Sequence, residues 1–383
     1  MVERRLRSIQ QAEALEWVDL TMRFLGMRMA DCGTVDPPAV VCVRAGSLGV
    51  ELVMEPASSV PPTGFVATEE GHLWTLDPEI GIDQLRDEAA GGVALVPALV
   101  TIGVTEEGSV LLNLECAGTL VVEGDPERAG AFLAAAALEL ASTPWCRELP
   151  LTLIGGDARL SVGNPRVESA DDPSLVIARA ARAAGATEAA LGDSRTTLSA
   201  RVAEQSSEDW VPSAIVADLG SMEEGAAREL VRATVPHRSG VVAIVPGPVA
   251  GARWRLMIDA DRTAVLHPLG LELTSVIDRE LVDGASALLE ARADLGDIAP
   301  VVELTPTTTG TVDPAGHCLY ARFLRRRPAI DWPNEPPAGS KAVELVHFLA
   351  ANEDAVSRGR LREALWPMNV PLTNVPSIRS GQR

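Results

Sequence analysis

Lysine is nearly absent from this 383-residue chain: Lys341 is the only one among 33 lysines and arginines. A phosphate-binding loop of the G-x-x-x-x-G-K-S/T kind needs a lysine to neutralise the terminal phosphate, and none stands anywhere upstream of residue 341. Aromatic residues are scarce as well, at 3%, so the cores must be assembled from Ala, Val and Leu. The five cysteines are widely spaced, odd in number and lack a C-x-x-C pair, which argues against a disulfide framework or zinc site and predicts buried thiols in a reducing cytoplasm. The five histidines show neither H-x-x-x-H nor H-E-x-x-H spacing, and no G-x-S-x-G elbow occurs, so metal and conventional hydrolase chemistry lack support and no cofactor is expected. The longest apolar stretch, VALVPALVTIGV, is about half of the roughly 20 residues a membrane helix needs. The N-terminus is charged rather than signal-like.

What is present is acidic and orderly. The net charge is -20, yet residues 318–383 carry ten Arg or Lys against six Asp or Glu, a balance of +4 that leaves -24 on the remainder. Such a body repels phosphate backbones and confines any nucleic-acid contact to the C-terminal piece. Residues 4–30 read as an amphipathic helix with Leu6, Ile9, Val18, Met22 and Leu25 near one face. Short β-rich runs separated by Gly, Pro and Glu-Glu-Gly turns follow, so residues 1–112 form a helix plus a strand-rich region.

From residue 113 the pattern alternates. GTLVVEGD, LPLTLIGG, SAIVADLG and GVVAIVPG read as strands; PERAGAFLAAAALELAS, SLVIARAARAAG and EEGAARELVRATV read as helices; and a hairpin turns at Asp259 to Arg262. The expected class is therefore α/β, with a central, mainly parallel sheet flanked by helices over residues 113–300. A helix at 278–294 and a Pro/Thr-rich linker at 301–316 lead to a C-terminal segment, 317–383.

In that segment SKAVELVHFLAANEDAVSRGRLREALWP has helix-turn-helix grammar, with Ser357 a plausible cap of the second helix. The runs AVELVHFLA and VSRGRLREALWP, with LYARFLRRRPAI upstream, resemble the winged-helix start of actinobacterial transcriptional activators of the SARP type. In that family a recognition helix comes next; here Pro371 and Pro376 interrupt the sequence. The resemblance implies a partial winged helix with weakened or lost DNA binding, for which Arg325, Arg327, Lys341, Arg358 and Arg360 are the candidate contacts. Arg325 to Arg327 equally suit a solvated edge strand.

More distantly, residues 113–275 resemble the ATPase core of FtsK-like DNA translocases and their degenerate relatives in secretion systems, through the order strand, loop, helix, strand and the placing of SAIVADLG as an acidic Walker B strand. In register with the phosphate loop stand Gly124, then Ala129 for the second glycine, Gly130 for lysine and Ala131 for the hydroxyl. Asp125 and Glu127 add negative charge, each like-charge contact near 4 Å costing on the order of 4 kcal/mol at an effective dielectric of about 20. The loop is thus a degenerate P-loop, or an ordinary strand-to-helix turn whose acids favour the helix dipole. Gly124, Arg128, Asp157 and Asp218 are the candidate ligand positions, Asp157 and Asp218 because they end strands at the ligand-facing edge.

Taken end to end, the segments look like the cytoplasmic region of large actinobacterial regulators that combine LysM and bacterial transcriptional activator domains. That likeness implies membrane spans upstream and an activator domain downstream of the part seen here, so the expectation is of a truncated portion, cytoplasmic and itself free of membrane contact. The functional expectation is a non-catalytic regulatory module of transcriptional lineage that binds a protein partner or self-associates. The alternative is a nucleotide-binding protein or enzyme using a non-standard site at the C-terminal edge of the central sheet.

Overall fold

A computed structural model of the chain describes residues 2–46, 49–89, 91–161, 164–193, 195–204 and 210–274, side chains from residue 14 onward, and the backbone of 284, 320–322 and 329–331. The chain divides into two compact units, Met1–Ala299 and Pro300–Arg383.

The first unit opens with helix α1 (Val2–Asp31), followed by strands β1 (Ala39–Gly46), β2 (Gly49–Glu55), β3 (Phe65–Thr68) and β4 (Leu73–Leu76), helix α2 (Ile82–Ala89), strands β5 (Leu99–Val104) and β6 (Ser109–Asn113), and a single turn, α3 (Leu114–Ala117). It continues with β7 (Thr119–Gly124), α4 (Pro126–Ser142), β8 (Leu151–Ile154), β9 (Val167–Ala170), α5 (Pro173–Leu191), α6 (Thr197–Glu204), β10 (Ser213–Ala217), α7 (Glu224–Ala233), β11 (Val241–Pro246), β12 (Trp254–Ile258), β13 (Thr263–His267) and β14 (Leu271–Thr274). These strands form one fourteen-stranded sheet in the order β3-β4-β2-β1-β6-β5-β14-β13-β12-β7-β11-β10-β8-β9.

The sheet has two characters. From β12 to β9 every described pairing is parallel, and from β3 to β12 every one is antiparallel. Strand β12 is the pivot, parallel to β7 on one side and antiparallel to β13 on the other. The N-terminal strands β1–β6 join the rest of the sheet where Thr274 of β14 pairs with Val104 of β5.

Burial explains both characters. The parallel strands β7, β10 and β11 are buried at nearly every position because helices cover both faces. Leu120 and Val122 of β7 enter one core with Phe132, Leu133 and Leu140 of α4 and with Val18, Met22 and Leu25 of α1. Val121, pointing the other way, joins Val176 and Ile177 of α5 and Leu230 of α7. Strand β2 instead alternates buried and half-buried residues, as a sheet with one wetter face does. The first core also takes in Val43, Leu52 and Leu112 of the antiparallel strands, so one apolar cluster underlies both parts of the sheet.

The architecture is the expected α/β class, with helices on both faces of a mainly parallel region and strands dominating the N-terminal part. The long first helix, the expected strands and the Asp259–Arg262 turn are all present, the turn closed by the Asp259 amide donating to Thr263 O at 2.8 Å. Strand β9 and helices α2, α3 and α6 have no counterpart in the sequence reading. Cys42, Cys116 and Cys146 are buried thiols; Cys32, expected to be buried, is exposed because it follows the last turn of α1.

The second unit contributes an antiparallel pair, β15 (Tyr320–Arg322) and β16 (Ala329–Asp331). The linker at 301–316, the 278–294 helix apart from Gly284, and the helix-turn-helix reading at 340–367 lie outside the described residues. Among the described residues no helix is long and apolar enough to cross a membrane.

Candidate functional site

The sheet edge that carries Gly124 is built by an abrupt transition. Strand β7 ends at Gly124 and α4 starts at Pro126, so Asp125 alone connects them. Gly124 has φ +106, and a Cβ there would stand 2.0 Å from Ile258 O of the neighbouring β12. The Asp125 amide donates to that same Ile258 O at 2.8 Å. Glycine is required here by the close approach of two strands, a need unrelated to phosphate.

Asp125 then caps α4. Its carboxylate accepts the Arg128 amide at 3.0 Å, and its carbonyl accepts the Ala129 amide at 2.8 Å. Pro126, in the first turn, has no amide to satisfy. The positions read in register with a phosphate loop, Ala129 to Ala131, are therefore buried residues of the helix itself. A single residue separates strand from helix, and the Arg128 amide, which could meet an anion at the helix start, meets the protein's own carboxylate. Glu123, two residues before Asp125, adds a buried oxygen, Oε1, with no hydrogen-bond partner among the described residues. The residues present do not fit a polyphosphate.

The other candidates lie along the same edge. Strand β11 separates β7 from β10, so Gly124 and the end of β10 are two strand spacings apart, about 10 Å. Asp218 and Asp157 follow adjacent strands, and the Asp218 amide donates to Ile154 O at 2.9 Å. Gly155 packs against Ser221, which closes the Asp218 turn by donating from Oγ to Asp218 O at 2.7 Å. The Asp218 carboxylate folds back on the Leu219 amide at 2.8 Å. Asp157 is clasped by Arg159, whose Nε reaches Oδ1 at 2.8 Å and whose Nη2 reaches Oδ2 at 2.8 Å. Arg128 sits half-buried in the first turn of α4, where its backbone engages Asp125. The structure thus places Asp157 and Asp218 after adjacent strands, each carboxylate engaged locally, and Gly124 two strands away from Asp218. Arg325, Arg327, Lys341, Arg358 and Arg360 lie outside the described residues.

Sequence reasoning missed a buried ionic centre at the opposite edge. Glu115 of α3 and Arg201 of α6 pair in the interior, and Thr197 Oγ1 donates to the same carboxylate at 3.1 Å. The signal available was one carboxylate in LLNLECAGTLVV and one guanidinium in TLSARVAE, since a charge inside an apolar run must be paired. A second missed group is Glu139 on α4, whose carboxylate accepts the Thr101 amide at 2.9 Å and its hydroxyl at 2.8 Å. Burial pushes Glu139 up to about 7, against the opposing pull of the two Thr101 bonds. Burial likewise raises the Cys42 and Cys146 thiols to about 12, so neither is an activated nucleophile.

No family model matches this chain, and no curated protein matches it. Similar solved structures include the cytoplasmic domain of the Type VII secretion ATPase EccC of Thermomonospora curvata, at 13% identity and a TM-score of 0.33 over 57% of this chain. The match spans 35% of that protein's length. Another is the monomer form of the pCW3 conjugation coupling protein TcpA with ATPγS, at 10% identity and a TM-score of 0.35, covering 70% of this chain and 99% of that one. No transcriptional regulator is among these two structures.

Proposed function

We propose that this chain acts without hydrolysing nucleoside triphosphates, as a non-catalytic α/β module that works by contact with a protein partner or a second copy of itself. The observation that carries the reading is the Asp125 carboxylate seated on the Arg128 amide at the start of α4. A negative group already holds the position where a phosphate would be recognised, and no lysine lies upstream of Lys341 to offset it. The -24 charge carried outside residues 318–383 suits a partner with a basic face. A transcriptional lineage rests on the sequence of residues 340–367 and belongs to the same proposal.

A second reading keeps nucleotide binding at the same edge by a non-standard geometry. Its support is the place of Gly124 at the C-terminal ends of parallel strands, the edge where ligands of such sheets bind; an ATPase and a protein solved with ATPγS are similar to the chain. At TM-scores of 0.33 and 0.35 that likeness concerns the fold and does not choose a ligand. Thermal unfolding of the full chain with Mg-ATP, Mg-GTP and ATPγS separates the readings, because a ligand at about 100 times its Kd stabilises by about 2.7 kcal/mol. No shift and no phosphate release are expected. Turnover abolished by Arg128→Ala would overturn the first reading in favour of the second.

A further inference from the structure

At the opposite, N-terminal edge of the parallel strands lies a cavity of about 330 Å³, near the lower end of the range for small-ligand pockets. Six segments converge on it: the entry to β1, the end of β2, α3, the lead into α6, the loop before β11 and the start of β12. Val41, Ala117, Leu198 and Trp254 give it apolar walls.

Its floor is fixed. His237 adopts φ +57, a strained value for a residue with a side chain. Two backbone bonds hold it there: its amide donates to Glu115 O at 3.0 Å, and its carbonyl accepts the Thr197 amide at 2.8 Å. Both partners belong to the buried Glu115–Arg201 centre. Burial is the largest influence on the imidazole and lowers its pKa; Glu115 and Glu55 pull it up and Arg201 pushes it down. A neutral ring at this position offers one donor and one acceptor.

The rim carries charges of both signs that do not pair. Asp36, Glu55 and Arg253 all line the cavity and are exposed, and among the described residues their side chains make no hydrogen bond or ion pair. Glu55 nevertheless acts electrostatically on His237 and Cys116, so its charge is felt inside. Cys116 itself is occupied, its thiol donating to Val40 O at 3.2 Å. A cavity with one guanidinium, two carboxylates and apolar walls asks for a small ligand that supplies both opposite charges and an apolar group. Two acids against one base disfavour phosphates and dicarboxylates and make an ammonium group necessary.

We propose that this cavity binds a free α-amino acid with an aliphatic side chain, its carboxylate on Arg253, its ammonium on Glu55 and Asp36, and its side chain among Val41, Leu198 and Trp254. The site is independent of whatever happens at the Gly124 edge. The cavity is a binding site rather than a reaction centre, with His237 contributing a hydrogen bond and shape.

The test uses the full chain and each of the twenty standard L-amino acids in calorimetry and thermal unfolding. A saturable signal is expected from one or more of Leu, Ile and Val, with a Kd of about 1 mM or tighter. On the unaltered chain, the N-acetyl and the C-terminal amide forms of that amino acid should each bind at least about tenfold more weakly, which is about 1.4 kcal/mol. Arg253→Met and Glu55→Gln should each weaken binding by a similar factor, with unchanged circular dichroism in the free protein because both residues are exposed. Absence of binding by all twenty amino acids overturns the proposal, as does equal binding of the two blocked derivatives. The derivatives decide the matter even where a substituted protein fails to fold.

Discussion

Arg201 grips Glu115 with two nitrogens, Nη1 to Oε2 at 3.1 Å and Nη2 to Oε1 at 2.9 Å, and only 1% and 6% of the two side chains are exposed. The same guanidinium donates to Leu95 O and to Trp210 O, each at 2.6 Å. One arginine therefore ties α3, α6, the lead into β5 and the lead into β10. Replacing Arg201 by Met strands a buried carboxylate and should cost about 3–5 kcal/mol. Glu115→Leu combined with Arg201→Met should recover part of that loss, since no charge then remains unpaired. Urea unfolding of both proteins measures the difference.

Asp125→Ala removes the α4 cap. A loss of about 1 kcal/mol is expected, the usual worth of an N-cap carboxylate. The substitution frees the Arg128 amide yet supplies no lysine, so ATP turnover should stay at background. Denaturant midpoints and a phosphate-release assay report the two outcomes.

Gly124→Ala should be costlier than an ordinary glycine substitution. Its φ of +106 disfavours a side chain, and the new Cβ would lie 2.0 Å from Ile258 O, a backbone atom that can yield only if β12 shifts. The expected loss exceeds about 2 kcal/mol, opposite in sign to the gain of about 0.4–1 kcal/mol that compatible Gly-to-Ala changes give. A much lower thermal midpoint for this variant than for Asp125→Ala is the expected result.

Glu139 makes stability fall as the solution becomes less acidic. Its carboxyl titrates at about 7 in the fold and at 4.5 when unperturbed, so between those values the folded state holds the extra proton. Stability present below pH 4.5 is lost as pH rises through 7, up to about 3 kcal/mol. His237 works in the other direction: burial lowers its pKa from 6.5, so acid that protonates the unfolded chain first weakens the fold. Comparing the parent with Glu139→Gln from pH 5 to 8 isolates the first effect. The gap between their urea midpoints should close towards low pH.

The fold was readable wherever the hydrophobic period was clean. The run GTLVVEGD followed by PERAGAFLAAAALELAS announced a strand and a helix, and SLVIARAARAAG announced α5, which Asp172 caps by accepting the Ser174 amide at 2.9 Å. Strand β9, VESA, was not readable because four residues with two half-exposed or exposed polar positions carry almost no period, and its place is set by pairing with β8. At the Gly124 edge the sequence revealed the short strand-to-helix turn but not what occupies it: the approach of Ile258 O to Gly124 and the seating of the Asp125 carboxylate on the Arg128 amide are visible only in three dimensions. The pairing of Glu115 with Arg201 was beyond reach for a different reason. Eighty-six positions separate them, and each sits in a run whose local pattern predicts only burial.

The meeting of β5 and β14 at Val104 and Thr274 has a consequence for how the first unit comes apart. Backbone pairing there is slight, but Trp145 donates to Leu99 O across it, Glu139 holds Thr101 across it, and the apolar cluster runs beneath both sides. Cohesion at this seam is a property of side chains. Strands β1–β6 and the rest of the sheet should accordingly melt in one cooperative transition, with coincident midpoints by near- and far-ultraviolet circular dichroism.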